Sequence, residues 1–442
     1  PYVDDALKQP LLDKVPPAGE IVSENVLQDL GVTEFRLQNG IRVIAKPTDF
    51  QNDEILVSAT SPGGVSLIPD TSLIPAKTAV SVVRESGLGD FSSEQLNKAL
   101  SGQVVRLSPY IGELSEGFSG SSSIEDLETL FQLIYLYFTE TRGDTSAFKS
   151  LKSRFQAFYE NRGVSPEAAF QDTITVTLTQ YNPRFRPWTV EDIAGMNLTA
   201  SLNVFRQRFA DASDFTFLFV GNIDLDALRQ LCKTYLANLP DLDRRENFAD
   251  VTYEPPSGII EKEVFKGLES KSQSSLIFSG PFEWSLDNVF VANRFVDALK
   301  IKLREKIRED LGGTYGVRVF GGFSKYPRER YKITINFGSD PQRVEELTTA
   351  IMGELDSLKQ GFLDESYLEK VKEISLREYE KDLQENDYWL DALEYRYFHG
   401  VDPRTILRQG EMIENLTLND LTQAAKKYLD LQNYIKVTLY PE

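Results

Sequence analysis

Two stretches of this chain, about 218 residues apart, run through the same succession of helix and strand. Asn197-Leu198-Thr199 precedes a helix to Phe209 and then the strand Phe215 to Val220. Asn415-Leu416-Thr417 precedes a helix to Tyr428 and then the strand Tyr434 to Leu439. Helix pairs precede both. One starts at Leu127, turns at Arg142-Gly143-Asp144 and runs through Tyr159. The other starts at Val344, turns at Gln360-Gly361 and runs through Tyr379. Apolar residues recur in them at three- and four-residue spacing, the period of a helix with one buried face. The shared order predicts two copies of one α+β unit. Thr199 and Thr417 are each placed to cap a helix N-terminus. Capping also explains the two Asn-Leu-Thr triplets more simply than glycosylation does.

Strands open each unit. Phe35–Leu37 and Ile41–Ala45 flank Asn39-Gly40, which predicts a two-residue hairpin turn of the primed type. Ile55–Thr60 follows and ends at Pro62-Gly63-Gly64. In the second unit Ile259–Phe265 and Ser274–Ser279 read as strands. A long helix runs from about Asp287 to Arg308, and strands follow at Thr314–Phe320 and Arg330–Phe337. Strands clustered with helices, rather than alternating with them, predict antiparallel-rich sheets with helices packed on one face. The expected division is a leader at 1–30, a first domain at 31–240, a linker rich in Pro, Asp and Arg at 241–258, and a second domain at 259–442. Pro1 is not a natural start, so a processed chain or an excised fragment is expected.

Charge and residue inventory remove several function classes. The 48 basic and 67 acidic residues sum to −19, which argues against a phosphate-backbone partner. The same balance suits basic peptides. No apolar run is long enough to span a membrane. Cys232 stands alone, so there is no disulfide framework and no thiolate cluster. His399 is the one histidine, and it reads as a helix terminus before Gly400. Zinc hydrolysis needs three protein ligands and a base, so this chain lacks the residues for it. No Gly-x-Ser-x-Gly, phosphate-loop or dinucleotide spacing is present. The glycine pairs at 63–64, 312–313 and 321–322 mark bends instead.

One stretch still carries chemistry. From Leu303 to Gly316 a helix end meets Gly312-Gly313 and then a strand, with Arg308 on one side and Tyr315 on the other. A guanidinium and a phenol sharing one space can donate hydrogen bonds to a peptide carbonyl and stabilise charge growing on it. The alternative is Arg308 paired with Glu305 or Glu309 and Tyr315 packed in the core.

This stretch resembles the Arg/Tyr motif in the non-catalytic half of the M16 (pitrilysin/insulinase-type) zinc peptidases. Phe217 to Asp224, closed by Leu239-Pro240, resembles that family's strand-to-helix junction. Gly280-Pro281-Phe282-Glu283-Trp284 and Asn386-Asp387-Tyr388-Trp389-Leu390 are similar to its bacterial PqqL-like branch. The resemblance covers roughly residues 30–442 and implies a tandem repeat of M16-type (LuxS/MPP-like) domains. It implies that Arg308 and Tyr315 contact the scissile carbonyl, with Gly312 and Gly313 as the structural turn between them. The family's zinc motif, His-x-x-Glu-His, falls on the helix Ala76–Glu85, where Val80, Val83 and Arg84 stand instead. Zinc is therefore expected in another, catalytic half, either in the same polypeptide or in a separate subunit. Ile55–Ser61 is expected at the place of the family's edge strand, where it contacts the partner half or, the favoured reading, simply completes the sheet, and 1–30 is expected as the connector from the missing half. The implied function is one wall of a peptide chamber that assists hydrolysis in trans, the chain being inactive alone. The alternative is a scaffold of the same fold. Peptide is the expected substrate, self-association of the isolated chain through surfaces meant for its partner stays open, and a bacterial periplasm or cytoplasm is the expected setting.

Overall fold

Strands β1 (Ile21–Leu27), β2 (Val32–Leu37), β3 (Arg42–Pro47), β4 (Ile55–Pro62), β5 (Val105–Ile111), β6 (Ser115–Ser122) and β7 (Thr216–Gly221) form a sheet in the order β1-β2-β3-β7-β4-β6-β5. A second sheet contains β8 (Ile259–Phe265), β9 (Ser272–Pro281), β10 (Thr314–Ser324), β11 (Arg330–Ser339) and β12 (Tyr434–Tyr440), in the order β10-β11-β9-β12-β8. This computed structural model describes residues 9–310 and 314–442, with the backbone alone at 308–310 and 314–315.

The repeat is visible in the strand orders. From β3 the first sheet runs β3-β7-β4-β6-β5, and from β8 the second runs β8-β12-β9-β11-β10. In each, the first pair is parallel and every later pair antiparallel. The α+β repeat with antiparallel-rich sheets therefore stands.

The chain divides into two compact units that do not follow sequence order. The first holds residues 1–157, 190–249 and 381–406, and the second holds 158–189, 250–380 and 407–442. In the first unit, Phe219 on one face of β7 stacks on Phe131 of helix Leu127–Thr139 at 5.3 Å. Leu218 and Val220, on the opposite face, pack with Trp389, Ala392 and Leu393 of helix Asn386–His399. A strand apolar at successive positions needs cover on both faces. Here the second cover comes from the later repeat. The second unit reciprocates: Phe170 and Leu178 of helix Pro166–Leu178 pack on Ile277, Ile435, Val437 and Leu439. The opposite face of that sheet, with Leu276, Phe278, Ile333 and Ile335, packs on helix Leu286–Arg304 and its neighbours.

Local geometry departs from the expectations at four places. Ile21–Leu27, within the stretch expected as a leader, pairs with β2 as an edge strand. β4 is interior, hydrogen-bonded to β7 and β6, because its run from Ile55 to Ser61 is buried throughout. The edges of that sheet are β1 and β5, so Ile55–Ser61 is not an edge strand but completes the sheet, the favoured of its two readings. The Asn39-Gly40 hairpin is not of the primed type. Gly40 alone takes a positive φ, 89°. Gly40 N–H donates to Leu37 O at 3.0 Å and Leu37 N–H to Ile41 O at 2.9 Å, a three-residue loop closed by glycine. The Asn39 amide is buried and donates to Leu236 O at 2.8 Å, which holds Asn39 out of the left-handed region.

The fourth departure is a cap. Thr417 caps helix Leu418–Tyr428 in a capping box with Asp420, as predicted. Helix Leu198–Arg208 is instead capped by Asn197, whose Oδ1 accepts from Ala200 N–H at 2.9 Å, and Thr199 lies in the first turn. Asn197→Ala is expected to cost about 1 kcal/mol in urea unfolding, and Thr199→Ala only a few tenths. The reverse order would restore Thr199 as the cap. Among the described residues no helix is long and apolar enough to cross a membrane.

Candidate functional site

Helix Leu286–Arg304 starts at Ser285, whose Oγ accepts from Asn288 N–H at 3.0 Å. Its apolar face, including Phe295, Leu299 and Leu303, lies in the core with Ile307 of the next turn. The α-helix was expected to reach Arg308. It ends at Arg304 and widens into a π-helical turn, Glu305–Asp310, on which Arg308 stands. Such turns are rare and recur at functional sites. The turn is anchored at its base. Glu305 accepts from Lys370 Nζ at 2.9 Å and from the Tyr367 hydroxyl. The Tyr367 hydrogen bond, followed by Lys370, holds the Glu305 carboxyl below its ordinary range. One turn earlier Lys302 pairs with Glu354 at 3.1 Å. Helices Val344–Lys359 and Glu365–Asp382 thus fix the backbone that carries Arg308.

Tyr315 lies at the start of β10. The register pairs Thr314 with Ser339 and Gly316 with Gly338, so Tyr315 is the extra residue of a β-bulge. Gly316 follows with φ at 151°, a conformation suited to glycine. A bulge changes the direction in which its strand presents side chains. Both motif residues therefore stand on irregular backbone at one helix-to-strand joint. Gly312, Gly313 and the side chains of Arg308 and Tyr315 lie outside the described residues.

Zinc does not fit the positions where the family's motif falls. On helix Leu73–Ser86, Val83 is fully buried and Arg84 is an exposed cation, and neither they nor Val80 can ligate a metal. His399 ends helix Asn386–His399 before Gly400, its Nδ1 2.8 Å from Tyr395 O and its ring 4.1 Å from the Tyr395 ring. Cys232 is buried, which pushes its thiol up and away from reactivity. Among the described residues no three His, Cys, Asp or Glu side chains are grouped to hold a metal.

A polar centre that the sequence does not announce lies under Pro62-Gly63-Gly64. Arg208, 1% exposed, pairs at 2.9 Å with Glu116, which is fully buried, and also contacts Glu246. Glu116 Oε2 accepts from Gly64 N–H at 2.6 Å. A Cβ on Gly64 would stand 2.4 Å from Gly112 O, so only glycine closes this turn. Burial pushes the Glu116 carboxyl up to about 7, against the opposing pull of Arg208. The partners are 92 residues apart in sequence, and nothing local to either signals the other.

Residues 199–375, a span that includes both Arg308 and Tyr315, match the peptidase M16 inactive domain. That span is similar to an M16 inactive domain. The chain is 25% identical over 359 residues to a probable zinc protease PqqL of Haemophilus influenzae, covering 80% of this chain and 38% of that protein. The crystal structure of the periplasmic protease PqqL from Escherichia coli shares the fold at a TM-score of 0.85 and 23% identity, over 100% of this chain and 49% of that one. An M16 inactive domain from Pseudomonas fluorescens matches at a TM-score of 0.76 and 16% identity, over 93% of this chain and 99% of that one. This chain thus spans less than half the length of the two PqqL proteins.

Proposed function

We propose that this chain is the non-catalytic half of an M16 zinc peptidase, forming one wall of a peptide chamber. It assists hydrolysis at a zinc held by another half. The observation that supports the reading is the placement of Arg308 on an anchored π turn and of Tyr315 on a bulge at one helix-to-strand joint, in a chain whose described residues group no three metal-ligating side chains. Zinc, bound elsewhere, would supply the activated water. This chain's part is donation. The Arg308 guanidinium and the Tyr315 phenol hydrogen-bond the oxygen of the scissile carbonyl and hold the negative charge that develops there. Neither group needs to exchange a proton. The periplasmic setting of the Escherichia coli relative supports the same compartment here.

The test joins this chain to a zinc-bearing half and compares wild type with Arg308→Ala and Tyr315→Phe. Unchanged kcat/KM in both variants rules out the assisting role and leaves the scaffold reading.

A further inference from the structure

β10, one of the two outer strands of the second sheet, differs from the other three edges in having neither proline nor a carboxylate. β5 is interrupted by Pro109, β1 carries Glu24, and β8 carries Glu261, Lys262 and Glu263. Proline and charge are the usual guards against further strand pairing. β10 runs 11 residues, Thr314–Ser324, without proline or an acidic residue, and its one charge is the cation Arg318. Arg318, Phe320, Gly321, Gly322 and Ser324 are exposed along it, and Phe320 is 54% exposed.

The sheet face beside this edge has a definite chemistry. The register sets Arg318 opposite Asn336, Phe320 opposite Thr334 and Gly322 opposite Lys332. Alternate residues of a strand share a face, so Phe320 sits between two cations, Arg318 and Lys332. Both cations are exposed, and among the described residues neither has an ion-pair partner. The nearby carboxylates are committed: Asp250 to Arg328, and Glu254 to Arg328 and Arg330. Beyond Phe320 the face opens into a cavity of about 320 Å³, floored by Gly322 and Ser279, walled by Leu178 and Tyr253, and edged by Lys332. On the same face the Asn336 Oδ1 and Ser275 Oγ atoms are buried and accept or donate no hydrogen bond.

We propose that the β10 edge and this face bind an extended peptide bearing acidic side chains. The proposal deepens the peptide-handling role given above and rests on it. An edge row of N–H and C=O groups is matched in full only by another extended backbone. At every second residue such a peptide meets Arg318, Phe320 and the Gly322 cavity. Unpaired cations at the first and last of these positions select carboxylates, in a chain whose overall charge of −19 would repel them. The local surface thus reverses the preference for basic peptides that net charge suggests. The strand also sets a distance. Gly322 is seven residues from Tyr315, about 23 Å along an extended chain, so the cavity reads a peptide residue roughly seven positions from the one beside Tyr315.

Binding is measured on this chain without a zinc half, which separates it from catalysis. The probe is a fluorescent peptide of roughly ten residues that alternates Thr and Val with two glutamates, against a twin carrying lysines. The glutamate peptide is expected to bind about fivefold more tightly at low salt. The double variant Arg318→Glu/Lys332→Glu should invert the order. Gly322→Leu should weaken binding without unfolding the chain, since a Cβ there meets only Lys332 O at 3.9 Å. Amide exchange at Val317–Ser324 should slow when the peptide binds. Equal affinities for the twins, or unchanged exchange at β10, would overturn the proposal. So would protection of β10 by the zinc half and not by peptide, which would make the edge an interface between halves. Preferential peptide binding alongside undiminished kcat/KM in the Arg308 and Tyr315 variants would leave this site standing and remove the catalytic role.

Discussion

Arg308→Ala, in the chain joined to a zinc-bearing half, lowers kcat/KM about a hundredfold to a thousandfold, and Tyr315→Phe lowers it nearly as far. Removing one donor aimed at a developing oxyanion costs about 3 kcal/mol of transition-state stabilisation, which converts to that range. The loss falls on kcat more than on KM, because the charge that these groups hold appears only in the transition state. Arg308→Lys keeps the charge but loses the planar fork, so it recovers only part of the activity. Stability should barely move. The π turn is held by the buried Ile307 and by Glu305 with Lys370 and Tyr367, all of which remain in these variants. A variant that lost activity together with melting temperature would instead report a structural role.

The second large effect is on stability. Glu116→Ala leaves the Arg208 guanidinium buried beside one remaining carboxylate, Glu246, which is itself partly exposed. Breaking a buried pair by removing one partner costs about 3–5 kcal/mol, and Glu246 places this case near 3. Replacing both partners with apolar residues, Glu116→Leu with Arg208→Met, should cost less than either single change because no orphan charge remains. The pair also makes stability depend on pH. The Glu116 carboxyl lies near 7 in the fold against 4.5 for an ordinary glutamate, so the folded state holds the proton more tightly. Its contribution is fully present below the unfolded value and is lost as pH rises through about 7. Urea midpoints should therefore fall between about pH 5 and about pH 8, and Glu116→Gln should flatten that slope. An unchanged slope in Glu116→Gln would assign it to another group.

The repeat was legible because β7 and β12 are apolar runs that follow capped amphipathic helices, and those signals are local. The hairpin of β5 and β6 was not. β6 reads Ser-Glu-Gly-Phe-Ser-Gly-Ser-Ser, which lacks the branched residues of a typical strand. Its glycines serve close approach: a Cβ on Gly117 would lie 1.7 Å from Ala59 O, and one on Gly120 2.3 Å from Arg106 O. The exchange of helices was equally hidden. Asn386–His399 looks like any helix of the second repeat, and nothing in its residues says that Trp389 covers Leu218 and Val220 of the first unit. At the candidate site the helix and the strand on either side of Arg308 and Tyr315 were visible, while Gly312 and Gly313 lie outside the described residues. The π turn and the bulge were not visible, since each depends on how a neighbouring element fixes the register.

The central claim is that this chain contributes to catalysis only beside a metal-bearing half. The direct measurement is peptide hydrolysis by the zinc half alone, by this chain alone, and by the two together. The account predicts no hydrolysis by this chain, weak hydrolysis by the zinc half, and a gain of about a hundredfold when they are combined, abolished by a chelator. Chelator-insensitive hydrolysis by this chain alone, or no gain on combination, would contradict it.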